Sequence, residues 1–423
     1  MPVAARAVAS TSANSTSSTA TANVTQVASS PTPIVSNLYT TNTVASIASV
    51  AAAQWDALAH PAGSEFNPFV AHAFLLALEG SDSASAGTGW QPCHVTLRDA
   101  AGGLVGVAPC YRKSHSLGEY VFDQAWAEAF GRVGGRYYPK LQVCVPFVPA
   151  TGPRLLAATA VRRAALLQAV RDHCLASGAS SAHLTFVPAQ HASEADAGWL
   201  ARTDLQFHWH NPGYASFEQF LAELSHSKRK QIRRERASVA AAGVTIQWLS
   251  GAELREHHWD TFFAFYQDTG ARKWGRPYLT RAFFSLLSAA MAEHVVLMLA
   301  YRDSQPIAGA LNLRGSHALF GRHWGAIEHV PNLHFEACYY QALDYAIAHK
   351  LPRVEAGAQG PHKLARGYLP VATHSLHFLA HQGLAAAVAE YLHHERSQVA
   401  VEQAVLADRA PFRAVTAGHA DEP

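Results

Sequence analysis

No stretch of this 423-residue chain approaches the roughly 18 consecutive apolar residues of a membrane helix, so no span is expected. Cysteine is scarce and scattered: Cys93, Cys110, Cys144, Cys174 and Cys338 are odd in number and form no CxxC pair. That fits free thiols in a reducing cytoplasm better than a disulfide framework. A strong charge of one sign is also missing, since the formal net charge is +2, which argues against a chain coated in nucleic acid. Histidine is plentiful, with 25 residues, but HExxH or similar metal spacing is absent. The pairs His257-His258 and His393-His394 are adjacent, so their side chains diverge on a helix, and no metal site is expected.

Residues 1–42 hold a single charge and no aromatic before Tyr39, and are Ala, Ser, Thr and Val for the most part. This composition predicts a disordered tail. Ser, Thr and Asn interrupt it too often for a secretory signal, so the reading is a soluble, cytoplasmic protein. The remaining length and the 49% hydrophobic content are enough for two domains, assigned to 43–210 and 211–405, with a flexible end at 406–423.

Hydrophobic runs and turn residues predict mixed α/β sheets. Strands are expected at 295–300, 307–313 and 318–324, with a turn at Asp303-Ser-Gln-Pro306, followed by a helix over 333–349. A strand at Val354-Glu355, a glycine-bearing loop, a short helix and a strand at 373–379 complete the order β-β-β-α-β-α-β. The first half carries a weaker copy: strands at 93–99, 104–109 and 119–122, a helix at 161–176 and a strand at 181–187. Asp99 matches Asp303 and Gly106 matches Gly309, as in a duplicated unit.

Two basic segments stand out. The helix predicted over 225–242 places six cations between Lys228 and Arg236. Positions 229, 233 and 236 share one face, which is either a solvated surface or, through Lys228, Arg229 and Arg233, a phosphate-binding one. In Arg272-Lys-Trp274-Gly-Arg276-Pro-Tyr278 cations and aromatics alternate. Arg272, Trp274 and Tyr278 either contact a ligand or anchor the loop to the core. A third cluster packs Glu355, Gln359, His362, Lys363 and Arg366 around Gly357 and Gly360. Such loops at strand ends are where α/β sheets bind ligands, although a plain helix start with solvated charges has the same composition.

Six segments taken in order resemble a bacterial family of N-acyltransferases related to the FemAB peptidyltransferases, within the GNAT superfamily. They are Ser227–Arg236, Arg272–Thr280, Ile307-Ala-Gly-Ala-Leu-Asn312, Gly321-Arg-His-Trp-Gly325, Leu333–Gln341 and Glu355–Gly367. The resemblance implies tandem GNAT-like domains and amide-forming acyl transfer to a small-molecule or peptide acceptor. CoA-dependent GNAT proteins cradle pyrophosphate in a glycine-rich loop. The equivalent segment here, Ala326-Ile-Glu-His-Val-Pro-Asn-Leu333, has no glycine and includes Glu328. FemAB relatives also lack that loop and take aminoacyl groups from charged tRNA, so acyl-CoA and aminoacyl-tRNA both stand as donors. No permanently bound cofactor is implied.

Amide formation needs a positioned amine, a proton acceptor and charge stabilisation. Glu336 or His334 is assigned as the base and Glu355 as the group orienting the amine. Tyr339 or Tyr340 is assigned as the proton donor to the leaving group. Lys363 and Arg366 would neutralise the donor's leaving group or phosphate. Gln359, His362, Arg322 and Trp324 complete the substrate-contacting set. Glu336, Tyr340, Leu343 and Ile347 share a helical stripe, and Arg322, His323 or Lys363 is expected to pair Glu336. Alternatively, Glu336 complements the positive end of its helix. The rival class is a non-catalytic GNAT scaffold that recognises a cell-wall precursor, peptide or RNA.

Overall fold

The computed structural model describes residues 38–273, 277–357 and 360–413. A small sheet joins β1 (Thr40–Val44), β3 (His94–Arg98) and β4 (Leu104–Ala108) in the order β1-β3-β4. The large sheet begins with β2 (Trp90–Pro92), β5 (Cys110–Lys113), β6 (Lys140–Val143) and β7 (Ser181–Val187). It continues through β14 (Leu369–Leu379), β8 (Leu200–His210), β13 (Arg353–Glu355) and β12 (Ala318–Ala326). It ends with β11 (Gln305–Arg314), β10 (Val295–Arg302) and β9 (Val244–Leu249).

Residues 295–300 are buried on both faces, which explains why β10 reads as an unbroken apolar run rather than an alternating one. Its hairpin to β11 turns on Asp303 and Ser304, with φ of 50° and 63°, the doubly left-handed turn that matches strand twist. Asp99 closes the first-half hairpin differently, its Oδ1 accepting from the amides of Ala101 and Gly103 at 3.1 and 2.8 Å. Gly106 and Gly309 nevertheless do the same job. A Cβ on either would crowd a side chain of the covering helix, Leu166 or Phe262, at 2.9 Å.

The duplication extends to topology. In each half a hairpin strand pairs antiparallel with the next strand, β5 with β6 and β11 with β12. A helix then crosses to a parallel partner, β6 to β7 through Ala160–Ala176, and β12 to β13 through the helical stretch from Leu333 to Ala348. The halves then exchange their last strands. β8 pairs with β13 as well as β14, and β14 pairs with β7 as well as β8. A cut after residue 210 therefore divides the chain but not the sheet. One apolar core likewise joins Trp55, Phe69 and Trp90 to Trp259, Phe262 and Phe284.

Three expectations change. No strand forms over 119–122, because Tyr120 adopts φ 60° and Glu119 turns inward to Lys140 Nζ at 2.6 Å. The third strand is β5 instead. Residues 40–42, assigned to the tail, lie in β1 and pair with β3. Residues 406–408 finish the Gln382–Asp408 helix, and Phe412 bridges Leu224 rather than trailing away. Residues 1–37 and 414–423 lie outside the described residues. Among the described residues no helix is long and apolar enough to cross a membrane, and no group of side chains could hold a metal ion.

Beyond Leu184, β7 has no β6 neighbour, and its carbonyls are met by the chain itself. Gly152 N donates to Phe186 O at 3.0 Å and Arg154 Nε donates to Thr185 O at 3.0 Å. Arg154 is buried and also donates to Ala150 O at 2.7 Å and Pro153 O at 3.2 Å. Arg154→Met should cost on the order of 2–4 kcal/mol by leaving these carbonyls without donors, read as a lower urea midpoint at unchanged m-value. An unchanged midpoint would show that solvent reaches them.

Candidate active site

The second half meets the same divergence and leaves it open. β12 and β13 pair only through Ala318↔Arg353, Leu319↔Val354 and Phe320↔Glu355. β12 then runs on to Ala326, while the other chain turns away through Gly357 at φ +76°. Between them lies a cavity of about 110 Å³, lined by Asn312, Arg322, His323, Trp324, His334, Cys338, Tyr339, Ala356 and Gly357. It has room for an acyl or aminoacyl group but not for a nucleotide. Gly325 sets the far side, since a Cβ there would collide with the Phe265 backbone of the Glu256–Lys273 helix.

The helix beside the opening has an irregular register. Leu333–Phe335 is α-helical, Glu336–Tyr340 is a π turn, and Gln341–Ala348 is α-helical again. π turns are uncommon and concentrate at functional sites. Here the turn brings Glu336 onto the residue five positions on, with Gln341 Nε2 donating to Glu336 Oε1 at 2.8 Å. His334, Cys338 and Tyr339 line the opening, whereas Glu336 and Tyr340 turn to the His226–Ala241 helix.

Several expected pairings are corrected. Glu336 is clamped by Arg236, with Nη2–Oε1 at 3.0 Å and Nε–Oε2 at 3.2 Å, and not by Arg322, His323 or Lys363. Asp344 shares the same guanidinium at 2.7 Å. The Tyr340 hydroxyl donates to Glu235 and accepts from Arg366 Nε at 3.0 Å. Arg366 also reaches both Glu235 oxygens at 3.0 and 2.9 Å and lies 3.5 Å from the Phe335 ring centroid. Glu336, Tyr340 and Arg366 thus sew two helices together away from the cavity.

Lys363 sits at the opening's edge, buried, its Nζ donating to Gly357 O at 2.8 Å. Burial lowers its pKa to about 7, against a partial opposing effect of Cys338. His362 Nε2 is 2.8 Å from the Tyr339 hydroxyl. Burial raises the Tyr339 pKa and lowers that of His362, so the pair is a neutral hydrogen-bonding unit at pH 7. Arg322 Nη2 donates to Phe147 O, tying the cavity wall to the first half. Trp324 meets His334 edge-on at 5.4 Å.

Side chains alternate along β13, so Val354 enters the core under the helix while Glu355 faces the other side of the sheet. There it borders a cleft of about 650 Å³ with Asn67, Thr151, Arg163, His191, His208, His210, His317 and Arg353. Arg353 Nε holds Glu355 Oε1 at 2.9 Å, and His208 Nε2 lies 3.8 Å from Oε2, too far for a hydrogen bond. Glu355 Oε2 and His191 Nδ1 are buried without hydrogen-bond partners. Burial raises the pKa of Glu355. An acceptor-only oxygen left unpaired on the wall of a cleft is an invitation to an N–H donor.

The remaining candidates disperse. Arg233 pairs with Glu218, and Lys228 and Arg229 are half-buried on the same helix. Tyr278 stacks on Phe147, with ring centroids 4.9 Å apart. Trp274 and Gln359 lie outside the described residues, as does the side chain of Arg272. Asn312, Cys338 and His208 were not singled out from the sequence. An amide inside the apolar β11 run was a usable signal for Asn312, which is buried in a bulge and donates to Val296 O at 3.3 Å. His208 had none, because β8 reaches β13 only through the strand exchange.

The FemAB-like family, described as acting in peptidoglycan biosynthesis/recognition, matches residues 46–414. The chain belongs to this family. Among solved structures, the FemAB-like chain is similar to FemX at 12% identity, covering 80% of this chain and 98% of that one, with a TM-score of 0.48. A tandem GNAT protein from the clavulanic acid biosynthesis pathway matches at 13% identity, over 81% and 99% of the two chains, with a TM-score of 0.42. The L-PGS of Bacillus licheniformis matches at 9% identity, over 83% and 99%, with a TM-score of 0.45. No curated protein matches the chain.

The geometry separates anchors from cavity residues. Glu336→Gln and Tyr340→Phe should each cost about 1–3 kcal/mol of stability, read as a lower thermal midpoint, for loss of a buried hydrogen bond to a charged partner. His334→Ala and Tyr339→Phe, which break no bond to a charged partner among the described residues, should lower the midpoint less. Comparing melting curves of the four variants checks this, and equal losses across all four would erase the distinction.

Proposed function

We propose that this FemAB-like protein joins an acyl or aminoacyl group held in the β12–β13 opening to an amine that approaches Glu355 from the opposite cleft. The observation that carries this reading is the unpartnered, buried oxygen of Glu355 at the point where the two strands part. A carboxylate with a raised pKa is a better proton acceptor than an ordinary one, as a base working near neutrality requires. The amine nitrogen attacks the acyl carbonyl and passes its proton to Glu355. The tetrahedral intermediate then expels the donor's leaving group, which takes a proton from the Tyr339–His362 pair. Lys363, when protonated, offsets the negative charge that develops beside Gly357.

The missing glycine-rich loop favours aminoacyl-tRNA over acyl-CoA as the donor, and Arg302 pairing with Glu328 leaves that segment an acidic side chain rather than a phosphate cradle. Lys228 and Arg229 on the basic helix offer charge for a phosphate backbone. Both donor classes are made inside the cell, and a cytoplasmic reaction is part of this proposal. A purely scaffolding role has a specific observation in its favour only for the first half, whose corresponding gap is filled by Gly152 and Arg154.

The test supplies purified protein with charged tRNA or acyl-CoA and a lysine-bearing cell-wall peptide, and reads the new amide by mass. Glu355→Gln should lower kcat/KM about 100-fold or more. Activity should rise with pH as Glu355 ionises, above the usual carboxylate range, and fall as Lys363 loses its proton near pH 7. Lys363→Met should lower the rate and remove the alkaline limb. Amide formation unaffected by Glu355→Gln would overturn the mechanism. No product from either donor class would favour the scaffold reading.

A further inference from the structure

A second chemical feature lies outside the proposed site, at the crease where two strands leave the large sheet for the small one. β2 and β3 form one extended run broken at Cys93, and β4 and β5 form another broken at Pro109. Pro92 pairs with Tyr111 on one side of the break and Val95 with Ala108 on the other, so Cys93 stands opposite Cys110. The Cys93 amide donates to Cys110 O at 2.8 Å, and the two Sγ atoms are 3.7 Å apart. Opposed residues of an antiparallel pair have Cα atoms about 4.5–5.5 Å apart, inside the range a disulfide spans.

The two thiols differ as an attacking and a resolving cysteine should. Cys93 is partly exposed and Cys110 is buried. The Cys110 thiol donates toward the Cys93 sulfur, and His173 also stabilises the Cys93 thiolate, so its pKa falls to about 6 despite burial. Cys110 is held in place from the other side, its amide donating to His94 Nδ1 at 3.1 Å while His94 Nε2 meets Glu79 Oε1 at 2.7 Å.

We infer that Cys93 and Cys110 form an oxidation site that reacts with small hydroperoxides and closes to a reversible disulfide across this crease. The Cys93 thiolate attacks one peroxide oxygen, the O–O bond breaks, and Cys93 becomes a sulfenic acid as one water (or alcohol) leaves after protonation. The Cys110 sulfur then attacks the Cys93 sulfur, the S–O bond breaks, and the thiol proton leaves with hydroxide as a second water. Two thiols have lost two electrons and the peroxide has gained them. A dithiol reverses the step by exchange.

The experiment uses the full-length reduced protein and a few equivalents of hydrogen peroxide, followed by alkylation of remaining thiols, digestion and mass spectrometry. The expected product is a Cys93–Cys110 cross-linked peptide, lost on treatment with dithiothreitol. Cys93→Ser should slow loss of the Cys110 thiol roughly tenfold, because Cys110 is buried; the loss is read peptide by peptide, since Cys338 is partly exposed like Cys93. In Cys110→Ser, or Cys110→Ala if the serine variant fails to fold, Cys93 should stop at sulfenic acid and be trapped by dimedone. A cross-link through Cys144 or Cys174, or oxidation of Cys93 straight to sulfinic acid in the unsubstituted chain, would overturn the inference. So would thiols that persist under peroxide.

Discussion

Parallel strands that separate leave a row of backbone donors and acceptors with no neighbour, and the whole arrangement follows from how each half deals with that row. The first half closes its gap with its own chain, spending the amide of Gly152 and the guanidinium of Arg154 on the carbonyls of Phe186 and Thr185. The second half ends β13 after three residues and turns at Gly357, so a cavity remains where the first half has a plug. Two copies of one topology have thus become a filled unit and an open one.

Strand exchange makes the open unit depend on the filled one. β8, from the first half, forms the far neighbour of β13 and carries His208 to within 3.8 Å of Glu355. Arg322 reaches back to the Phe147 carbonyl, and Tyr278 stacks on the Phe147 ring. The cleft under Glu355 is walled by residues from both halves. Neither half could present this site alone, which gives a physical reason for a tandem chain.

Charge in this protein is used in two ways that composition does not distinguish. Arg236 with Glu336 and Asp344, and Arg366 with Glu235 and Tyr340, are closed networks in which nearly every donor meets an acceptor. Such networks hold helices in register. Lys363 and Glu355 are different, because each is buried with less pairing than its charge requires, and burial shifts both pKa values toward neutrality. Incomplete pairing, not charge, marks the groups proposed to react.

Local pattern determined much of the fold. The apolar run of β10, the Asp303 turn, the 181–187 strand and the cationic 226–241 helix all follow from residue order, because each is stabilised by neighbours close in sequence. The 119–122 strand did not form, since a buried ion pair with Lys140 outweighed a short stretch of β-favouring residues. The 355–367 segment is legible as a candidate site from its glycines and charges. Which of those charges face a cavity is not. Glu336 and Tyr340 face the 226–241 helix while Tyr339 and His334 line the cavity, and which face of a helix meets a cavity has no signature in hydrophobic spacing. Side-chain direction and long-range pairing belong to the tertiary structure, because both depend on atoms more than a hundred positions away.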